Sequence, residues 1–256
     1  MKLRDRVAMI VGGGNGIGAR TCKLFAEEGA RVLVADINLE AANRVAEEIK
    51  ANGHEVAAYK VDHTKEEEAF KMVKFALDKF GQIDIMANIA GTHGYIEGGE
   101  FIRKDEGPFA ESTKALWDST IDINLNGARN CTRAVVGHMM ERHKGRIVNF
   151  SSIAAVNGAP GLAAYAAAKG GIISLTKTLA RELAPYGILV NCIIPSQTAT
   201  EQVLERMARN RQSNPGRPAP DMSRFADPME LAQVVLWLSA DDVTHMSGQC
   251  ISVGLS

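Results

Sequence analysis

Tyr165 and Lys169 stand four residues apart in an alanine-rich stretch, Ala163-Ala164-Tyr165-Ala166-Ala167-Ala168-Lys169. Alanine favours helix, and residues i and i+4 share one helix face. A phenol with its ordinary pKa of about 10 is a poor base at neutral pH. An ammonium held beside it stabilises the phenolate, and a neighbouring opposite charge commonly lowers such a pKa by about 1–3. The pair could take a proton from an alcohol or give one to a carbonyl oxygen. Spacing alone leaves the alternative of a packing tyrosine and a solvated lysine. Upstream, Arg146–Phe150 reads as a strand that ends in Ser151-Ser152. Ser152 could hydrogen-bond a reacting oxygen, or cap a turn, which is the commoner use.

A second constellation concerns phosphate. The apolar run Val7–Val11 is followed by Gly12-Gly13-Gly14-Asn15-Gly16-Ile17-Gly18 and then by a helical stretch. Glycines let the chain turn sharply and let a pyrophosphate approach the backbone. The helix start then offers unpaired N–H groups and a positive dipole end. A plain strand–helix turn is the alternative. No Gly-Lys-Ser/Thr follows, which disfavours a P-loop ATPase. Asp36 closes the second predicted strand about 20 residues downstream, where a carboxylate bonds ribose hydroxyls and repels a 2′-phosphate. Neither Asn15 nor Ile37 supplies a compensating positive charge. The expected cofactor is therefore NAD rather than NADP, and Asp36 could also cap the helix that follows it.

These residues need elements to hold them. Val7–Val11, Arg31–Asp36, Glu55–Val61, Ile83–Asn88, Arg146–Phe150, Leu189–Ile194 and Cys250–Val253 read as strands. Their apolar runs lack polar alternation, as in a parallel sheet covered on both faces. Gly18–Glu28, Leu39–Ala51 and Lys65–Phe80 read as helices, each stopped by a following glycine or Asn-Gly pair. Such alternation predicts an α/β chain of right-handed βαβ units in a doubly wound sheet. Two stretches break the rhythm. Residues 92–114 carry four glycines and Pro108, and residues 196–228 carry four prolines. Both follow predicted strand ends, where open α/β sheets bind ligands, and both read as functional loops, the second as a lid.

Bulk properties bound the function. The 256 residues suffice for one α/β domain with a buried core, spanning 1–256. With 46% hydrophobic and 23% charged residues, the chain is globular in composition. A net charge of −1 gives no electrostatic reason to expect nucleic acid or an anionic membrane as partner. Cys22, Cys131, Cys192 and Cys250 are scattered, without a C-x-x-C pair, which fits a reducing cytosol. No apolar run is long enough for a signal peptide or a membrane span, so a cytoplasmic location is expected. No G-x-S-x-G elbow marks a serine hydrolase. His138 and His143, five apart, suggest no metal site.

Taken together, these motifs resemble the short-chain dehydrogenase/reductase family over essentially the whole chain. The family's T-G-x-x-x-G-x-G is similar to Val11-Gly12 through Gly16-Ile17-Gly18, and its N-N-A-G to Asn88-Ile89-Ala90-Gly91. Its helix asparagine matches Asn124, its Ser, Tyr and Lys match Ser152, Tyr165 and Lys169, and its P-G-x-x-x-T matches Pro195-Ser196 through Thr200. The resemblance implies a Rossmann-type, doubly wound, seven-stranded parallel sheet with helices on both faces. It implies Tyr165 as acid/base, with Lys169 tuning it and holding the nicotinamide ribose. Ser152 would orient the reacting oxygen, and Asn124 would hold a relay water. Gly12, Asn15, Gly16, Ile17, Gly18, Asp36 and Ile37 would meet the dinucleotide's phosphates and ribose. Asp62 and His63 would lie near the adenine, and Asn88, Ala90 and Gly91 along the adenosine ribose. Pro195, Thr198 and Thr200 would lie near the nicotinamide. A homotetramer is implied too, with small residues such as Gly170 and Gly171 permitting close helix contact.

The chain departs from the family pattern in places. Val11 replaces a threonine, Ile89 an asparagine and Ser196 a glycine; His63 replaces an aliphatic residue, and Val253-Gly254-Leu255-Ser256 stands where Asp-Gly-Gly is usual. The segment between Gly91 and Asn124 also exceeds the expected length, and residues 93–99 within it could form a flap over the active site or a surface insertion. Arg206, Arg209, Arg211, Arg217 and Arg224 in the second long stretch could meet an anionic substrate, or lie on a solvated helix face. The expected reaction is NAD-dependent interconversion of a secondary alcohol and a ketone. An NADPH-dependent 3-oxoacyl-thioester reductase and an inactive cofactor-binding regulator are the alternatives.

Overall fold

The five residues Val7–Val11 are all buried because they are covered from two sides. In a computed structural model, Ala8 and Ile10 pack into one apolar layer while Val7, Met9 and Val11 pack into another. A strand with two buried faces has no position for a polar side chain, which is why the run is uninterrupted. The structure describes residues 1–92, 94–97, 100–103, 106–213 and 221–254.

In chain order the elements are β1 (Val7–Val11), α1 (Gly16–Glu27), β2 (Arg31–Asp36), α2 (Leu39–Ala51), β3 (Val56–Lys60), α3 (Glu66–Phe80) and β4 (Ile85–Asn88). A short pair, β5 (Gly94–Glu97) and β6 (Glu100–Arg103), precedes α4 (Lys114–Ile121), which runs through a π turn, Asp122–Asn126, into α5 (Gly127–Glu141). Then come β7 (Gly145–Phe150), α6 (Ala154–Asn157), α7 (Ala163–Leu183), β8 (Ile188–Pro195), α8 (Glu201–Ser213), α9 (Pro228–Ser239) and β9 (Cys250–Val253).

Seven strands form one sheet in the order β3-β2-β1-β4-β7-β8-β9, and every pairing is parallel. The chain crosses from β3 at one edge to β4 beside β1, so the strand order reverses between β1 and β4. Open sheets bind ligands beyond the carboxyl ends of the strands at such a reversal. One layer contains Phe25 of α1, Val45 of α2, and Leu231 and Val235 of α9. The opposite layer contains Met72 of α3, Val135 and Met139 of α5, and Leu183 of α7.

Local chemistry fixes the ends. Asn38 caps α2 by accepting the Ala41 N–H at 3.1 Å. Asp227 caps α9 by accepting the Met229 N–H at 2.8 Å, with Pro228 in the first turn, where its missing N–H costs nothing. Gly81, at φ 79°, ends α3 in the left-handed conformation that glycine adopts without strain.

Both expected loops contain regular structure. Within 92–114, β5 and β6 pair antiparallel with Tyr95 opposite Ile102 and Ile96 opposite Phe101. Gly98-Gly99 between two aromatic and β-branched runs is a hairpin signal, outweighed in the sequence reading by the segment's glycine count. Within 196–228, Glu201–Ser213 is helical and a 3-10 turn spans Met222–Arg224. Arg217 lies outside the described residues, as do the side chains of Arg206, Arg209 and Arg211.

Candidate active site

The loop after β1 is held against its neighbours by the backbone. The N–H groups of Gly12 and Gly13 both donate to the Ala35 carbonyl at 2.8 and 3.0 Å. A Cβ on Gly12 would lie 2.6 Å from the Ala90 nitrogen, and one on Gly18 would lie 1.9 Å from the Gly12 carbonyl oxygen. Glycine at these two positions is thus required by close approach of chain to chain. Asn15 occupies the N-cap position of α1 without making the usual side-chain cap. Its Oδ1 instead accepts from Arg44 at 2.9 Å. The first N–H groups of α1, which include Ile17, therefore lack the partner that an N-cap asparagine normally supplies.

Asp36 lies at the rim of this loop. Its Oδ2 accepts the Gly14 N–H at 2.9 Å, and its Oδ1 accepts the Asn38 N–H at 3.0 Å. Asp36 therefore steadies the cap residue of α2 and Asn38 performs the capping. Ile37 follows, half-buried. Sequence reasoning missed Arg44. Its guanidinium, on α2, reaches Asn15 and also the Gly14 carbonyl at 3.4 Å. The positive charge sought at Asn15 and Ile37 is delivered one turn into the next helix.

Asp62 and His63 are both buried. Burial pushes the Asp62 carboxyl up, but hydrogen bonds from Thr64 and the ammonium of Lys65 outweigh it and hold it below the usual carboxylate range. The His63 ring places Nε2 3.0 Å from the Ile123 carbonyl oxygen, and burial holds its pKa below 6.5. A Cβ on Gly127 would lie 1.9 Å from that ring, so His63 and Gly127 fit as a pair between β3 and α5.

Asn88, Asn149 and two threonines form a buried ladder. Asn88 Nδ2 donates to Thr132 Oγ1 at 3.1 Å and to Asn149 Oδ1 at 2.9 Å, and Asn149 Nδ2 donates to Thr176 Oγ1 at 3.0 Å. It ties α5, β4, β7 and α7 together beneath Ala90, whose N–H donates to the Val11 carbonyl at 2.8 Å.

Asn124, Lys169 and Gly91 converge. Asn124 sits in the π turn, a widened turn frequent at functional sites. Its Nδ2 donates to the Thr92 and Thr120 carbonyls at 2.6 and 2.9 Å. Its Oδ1 is buried with no partner among the described residues. Lys169 is 2% exposed, and its ammonium donates to the Phe150 carbonyl at 2.8 Å. Burial pushes its pKa down to about 8. A Cβ on Gly91 would lie 2.5 Å from Lys169 Nζ and 2.8 Å from Asn124 Oδ1, so both polar ends face the same point.

Tyr165 lies one turn before Lys169, whose ammonium is 5.7 Å from the centre of the phenol ring. The Tyr165 N–H donates to Glu106 Oε1 at 2.8 Å, and the Ala164 N–H donates to Glu106 Oε2 at 2.7 Å. Glu106, 8% exposed and 58 residues upstream of Ala164, is a second residue that sequence reasoning did not find. Ser151 and Ser152 divide the labour at the end of β7. Ser151 Oγ donates to the Lys169 carbonyl at 2.8 Å, while half-buried Ser152 accepts the Ala154 N–H at 3.2 Å.

The segment after β8 closes over the glycine loop. The Pro195 carbonyl accepts the Ile153 N–H at 3.0 Å. Thr198 is buried and pairs with Ala226. Thr200 Oγ1 accepts the Val203 N–H at 3.3 Å, and a Cβ on Gly16, at φ +50°, would lie 3.1 Å from the Thr200 methyl. Arg20 and Glu201 pair at 3.3 Å across the same junction. Ser196, in place of the expected glycine, lies over Gly254, where a Cβ would fall 1.8 Å from the Ser196 hydroxyl.

The cysteines are closer than their spacing suggests. Cys192 and Cys250 are register partners on β8 and β9, which places their thiols side by side; Cys192 Sγ also donates to the Ile193 carbonyl at 3.4 Å and lies near the Lys169 charge. All four thiols are free. Among the described residues no helix is long and apolar enough to cross a membrane, and no cluster of three potential metal ligands occurs.

This geometry fits a dinucleotide. It offers uncapped helix amides, a carboxylate at the end of β2, and beside Gly91 the converging Lys169 ammonium and Asn124 Oδ1, the latter without a partner among the described residues. The model of the short chain dehydrogenase family matches residues 6–211. A (2S)-[(R)-hydroxy(phenyl)methyl]succinyl-CoA dehydrogenase subunit from Thauera aromatica is 36% identical, over 99% of this chain and 96% of its own. A 3-oxoacyl-[acyl-carrier-protein] reductase from Thermotoga maritima is 34% identical, over 99% and 98%. The solved structure of an NAD+-bound xylitol dehydrogenase superposes with a TM-score of 0.87 at 32% identity, over 99% of both chains.

Proposed function

The chain belongs to the short-chain dehydrogenase family, and on that footing we propose that it is an NAD-dependent oxidoreductase interconverting a secondary alcohol and a ketone. The observation that carries the chemistry is the buried Lys169 ammonium beside the Tyr165 ring. Bound NAD would accept a hydride from the alcohol carbon, or return it as NADH. Tyr165 would take the alcohol proton, or supply it to the ketone oxygen. Lys169, charged in that state, favours the phenolate. Ser152 would hydrogen-bond the reacting oxygen. Asn124 Oδ1, left unpaired, would hold a water that links the site to solvent. The glycine loop and the open amides of α1 would bind the pyrophosphate. Asp36 would accept from the adenosine ribose hydroxyls. Thr198 and Thr200 would contact the nicotinamide side.

Arg44 favours a second reading. A guanidinium beside Asn15 and Gly14 could meet a 2′-phosphate, and the Thermotoga maritima relative is named as a 3-oxoacyl-[acyl-carrier-protein] reductase. Asp36 opposes that reading, because its carboxylate occupies the same rim. The helix surface around Gly170, where an added Cβ would meet nothing within 4 Å, leaves room for a homotetramer contact.

The test is a panel of cyclic, aliphatic, steroid and acidic secondary alcohols with NAD and NADP, followed by the absorbance of the reduced nicotinamide. Turnover with NAD, falling by about 100-fold or more in Tyr165→Phe, is the expected result. At least tenfold faster turnover with NADPH, about 1.4 kcal/mol, would replace this reading with the second. Coenzyme binding without turnover of any alcohol or ketone would point to a regulator.

A further inference from the structure

The carboxylate of Glu106 is the one acidic group described at the start of the helix that carries Tyr165 and Lys169. It comes from the segment joining the β5–β6 hairpin to α4. Both of its oxygens are used: Oε2 accepts the Ala164 N–H at 2.7 Å and Oε1 accepts the Tyr165 N–H at 2.8 Å. These are among the first amides of α7, which intrahelical bonds leave without acceptors. Leu162, the N-cap residue of α7, makes no side-chain cap. An external carboxylate therefore does for this helix what Asn38 and Asp227 do for α2 and α9.

The arrangement has two consequences. A buried carboxylate bonded to two N–H groups at a helix start is a fixed anchor, because losing it would leave both donors and the dipole end unanswered. The anchor grips the backbone of Tyr165 itself, so the position of the phenol depends on a residue 59 positions away in sequence. Its negative charge also cancels the positive helix end that would otherwise act on the phenol. The charged group facing the Tyr165 ring from its own helix is Lys169. The elements packed on α7 bring Ser152 after β7, Asn124 in the π turn and Ala154 in α6, which carry no charge; the π turn's own carboxylate, Asp122, is exposed and accepts from Asn126 at 2.6 Å. On β8, Cys192 faces Lys169. On α4, Lys114 is paired with Asp118.

We propose that Glu106 is a positioning residue: it clamps the first turn of α7, sets where the Tyr165 phenol stands, and through its charge sets the pH at which that phenol ionises. The inference rests on the reading of Tyr165 as acid/base, and the test separates the two.

The phenol is titrated directly by tyrosinate absorbance in the coenzyme-free protein. The Tyr165 signal is isolated from the four tyrosines by subtracting the curve of Tyr165→Phe, in each background. In Glu106→Gln the midpoint is expected to move to lower pH by about half a unit or more, because a negative charge near the phenolate has been removed. In Glu106→Asp, which keeps the charge, it stays near the wild-type value. Amide hydrogen exchange at Ala164 and Tyr165 is expected to quicken in Glu106→Ala, with exchange in the strands unchanged. An unmoved midpoint in Glu106→Gln, or a shift in Glu106→Asp as large as that in Glu106→Gln, would overturn the proposal. These readouts need neither substrate nor coenzyme. If Tyr165→Phe remains active in the alcohol assay, the acid/base reading fails whatever the titration gives. If Tyr165→Phe is inactive and the titration is flat, the role of Glu106 alone fails. Where both hold, kcat in Glu106→Ala falls by up to about 100-fold.

Discussion

The ammonium of Lys169 donates to the carbonyl oxygen of Phe150 at 2.8 Å, in a place where the lysine is 2% exposed. Burial pushes this lysine from 10.5 down to about 8. Between those pH values the unfolded chain holds a proton that the folded chain has given up, so this site's contribution to stability rises as pH climbs through the window. Below it, keeping the ammonium buried costs about 3 kcal/mol. Lys169→Met removes that cost and loses one hydrogen bond worth about 1 kcal/mol. At neutral pH the variant is expected to be about 2 kcal/mol more stable than wild type in urea unfolding without coenzyme. The gap closes as pH approaches the ordinary lysine value, and a variant less stable at neutral pH contradicts the burial argument.

Asp36 and Arg44 bracket Gly14 with opposite charges. Asp36→Ala is expected to raise the ratio of NADPH to NADH efficiency by about tenfold or more, about 1.4 kcal/mol. The gain depends on the guanidinium already being at the rim. In the Asp36→Ala/Arg44→Ala double variant most of it disappears. Equal gains in the single and double variants would show that Arg44 takes no part, as read from kcat/KM with both coenzymes.

How far the sequence reached depended on the range of each interaction. The inner strands β1, β2, β4, β7 and β8 were legible because burial on both faces leaves an apolar run, whereas the edge strands β3 and β9 are only partly buried, and the glycine loop was legible because its spacing is local. Tyr165 and Lys169 were legible for the same reason, being one turn apart. Arg44 and Glu106 were not, since each acts on residues about 30 or about 60 positions away through contacts that only the fold creates. The Cys192–Cys250 pair needed the β8–β9 register, which no spacing reveals. The β5–β6 hairpin was written in Gly98-Gly99 and its flanking residues, but glycine count spoke louder than pattern. Asn124 entered only through the family resemblance; the π turn that holds it was not foreseen, because a single extra residue per turn leaves no periodic trace over five residues.

Gly18 tests the packing of α1 on the glycine loop. An alanine there would put its Cβ 1.9 Å from the Gly12 carbonyl oxygen, a backbone atom that cannot swing aside. Gly18→Ala is expected to lose about 1–3 kcal/mol in chemical denaturation and to weaken NAD binding measured by fluorescence titration. A variant that matches wild type in both would mean that α1 can shift freely.

Cys250 is half-buried, and the adjoining Cys192 side chain holds its thiol below the ordinary range, with burial opposing and Lys177 assisting. Cys22 and Cys131 are fully buried, and burial pushes both thiols up. Limiting iodoacetamide near neutral pH is therefore expected to label Cys250 first, by peptide mass mapping. In Cys192→Ser, labelling of Cys250 needs a different pH because that neighbour has changed. Preferential labelling of Cys22 or Cys131 would refute the burial pattern.

Asn149 is 0% exposed and stands at the centre of the ladder, accepting from Asn88 and donating to Thr176. Asn149→Leu keeps the volume and strips both bonds, leaving Asn88 with Thr132 as its remaining acceptor. The expected loss is about 1–3 kcal/mol, the range for a buried polar group deprived of a partner. Asn149→Asp keeps the acceptor for Asn88 but turns the donor toward Thr176 into a carboxyl oxygen. Buried without a cation, that carboxyl prefers its protonated form, so its folded pKa lies above its unfolded one. The folded variant then holds a proton that the unfolded chain releases, and its stability falls as pH rises through the ordinary carboxylate range into the raised one. Urea midpoints for wild type and both variants across that range decide the matter. Asn149→Leu should run parallel to wild type at a constant deficit, while Asn149→Asp should start near wild type in mild acid and drop away toward neutrality. Parallel curves for all three would mean that water reaches the ladder and that its amides do not bind the four elements together.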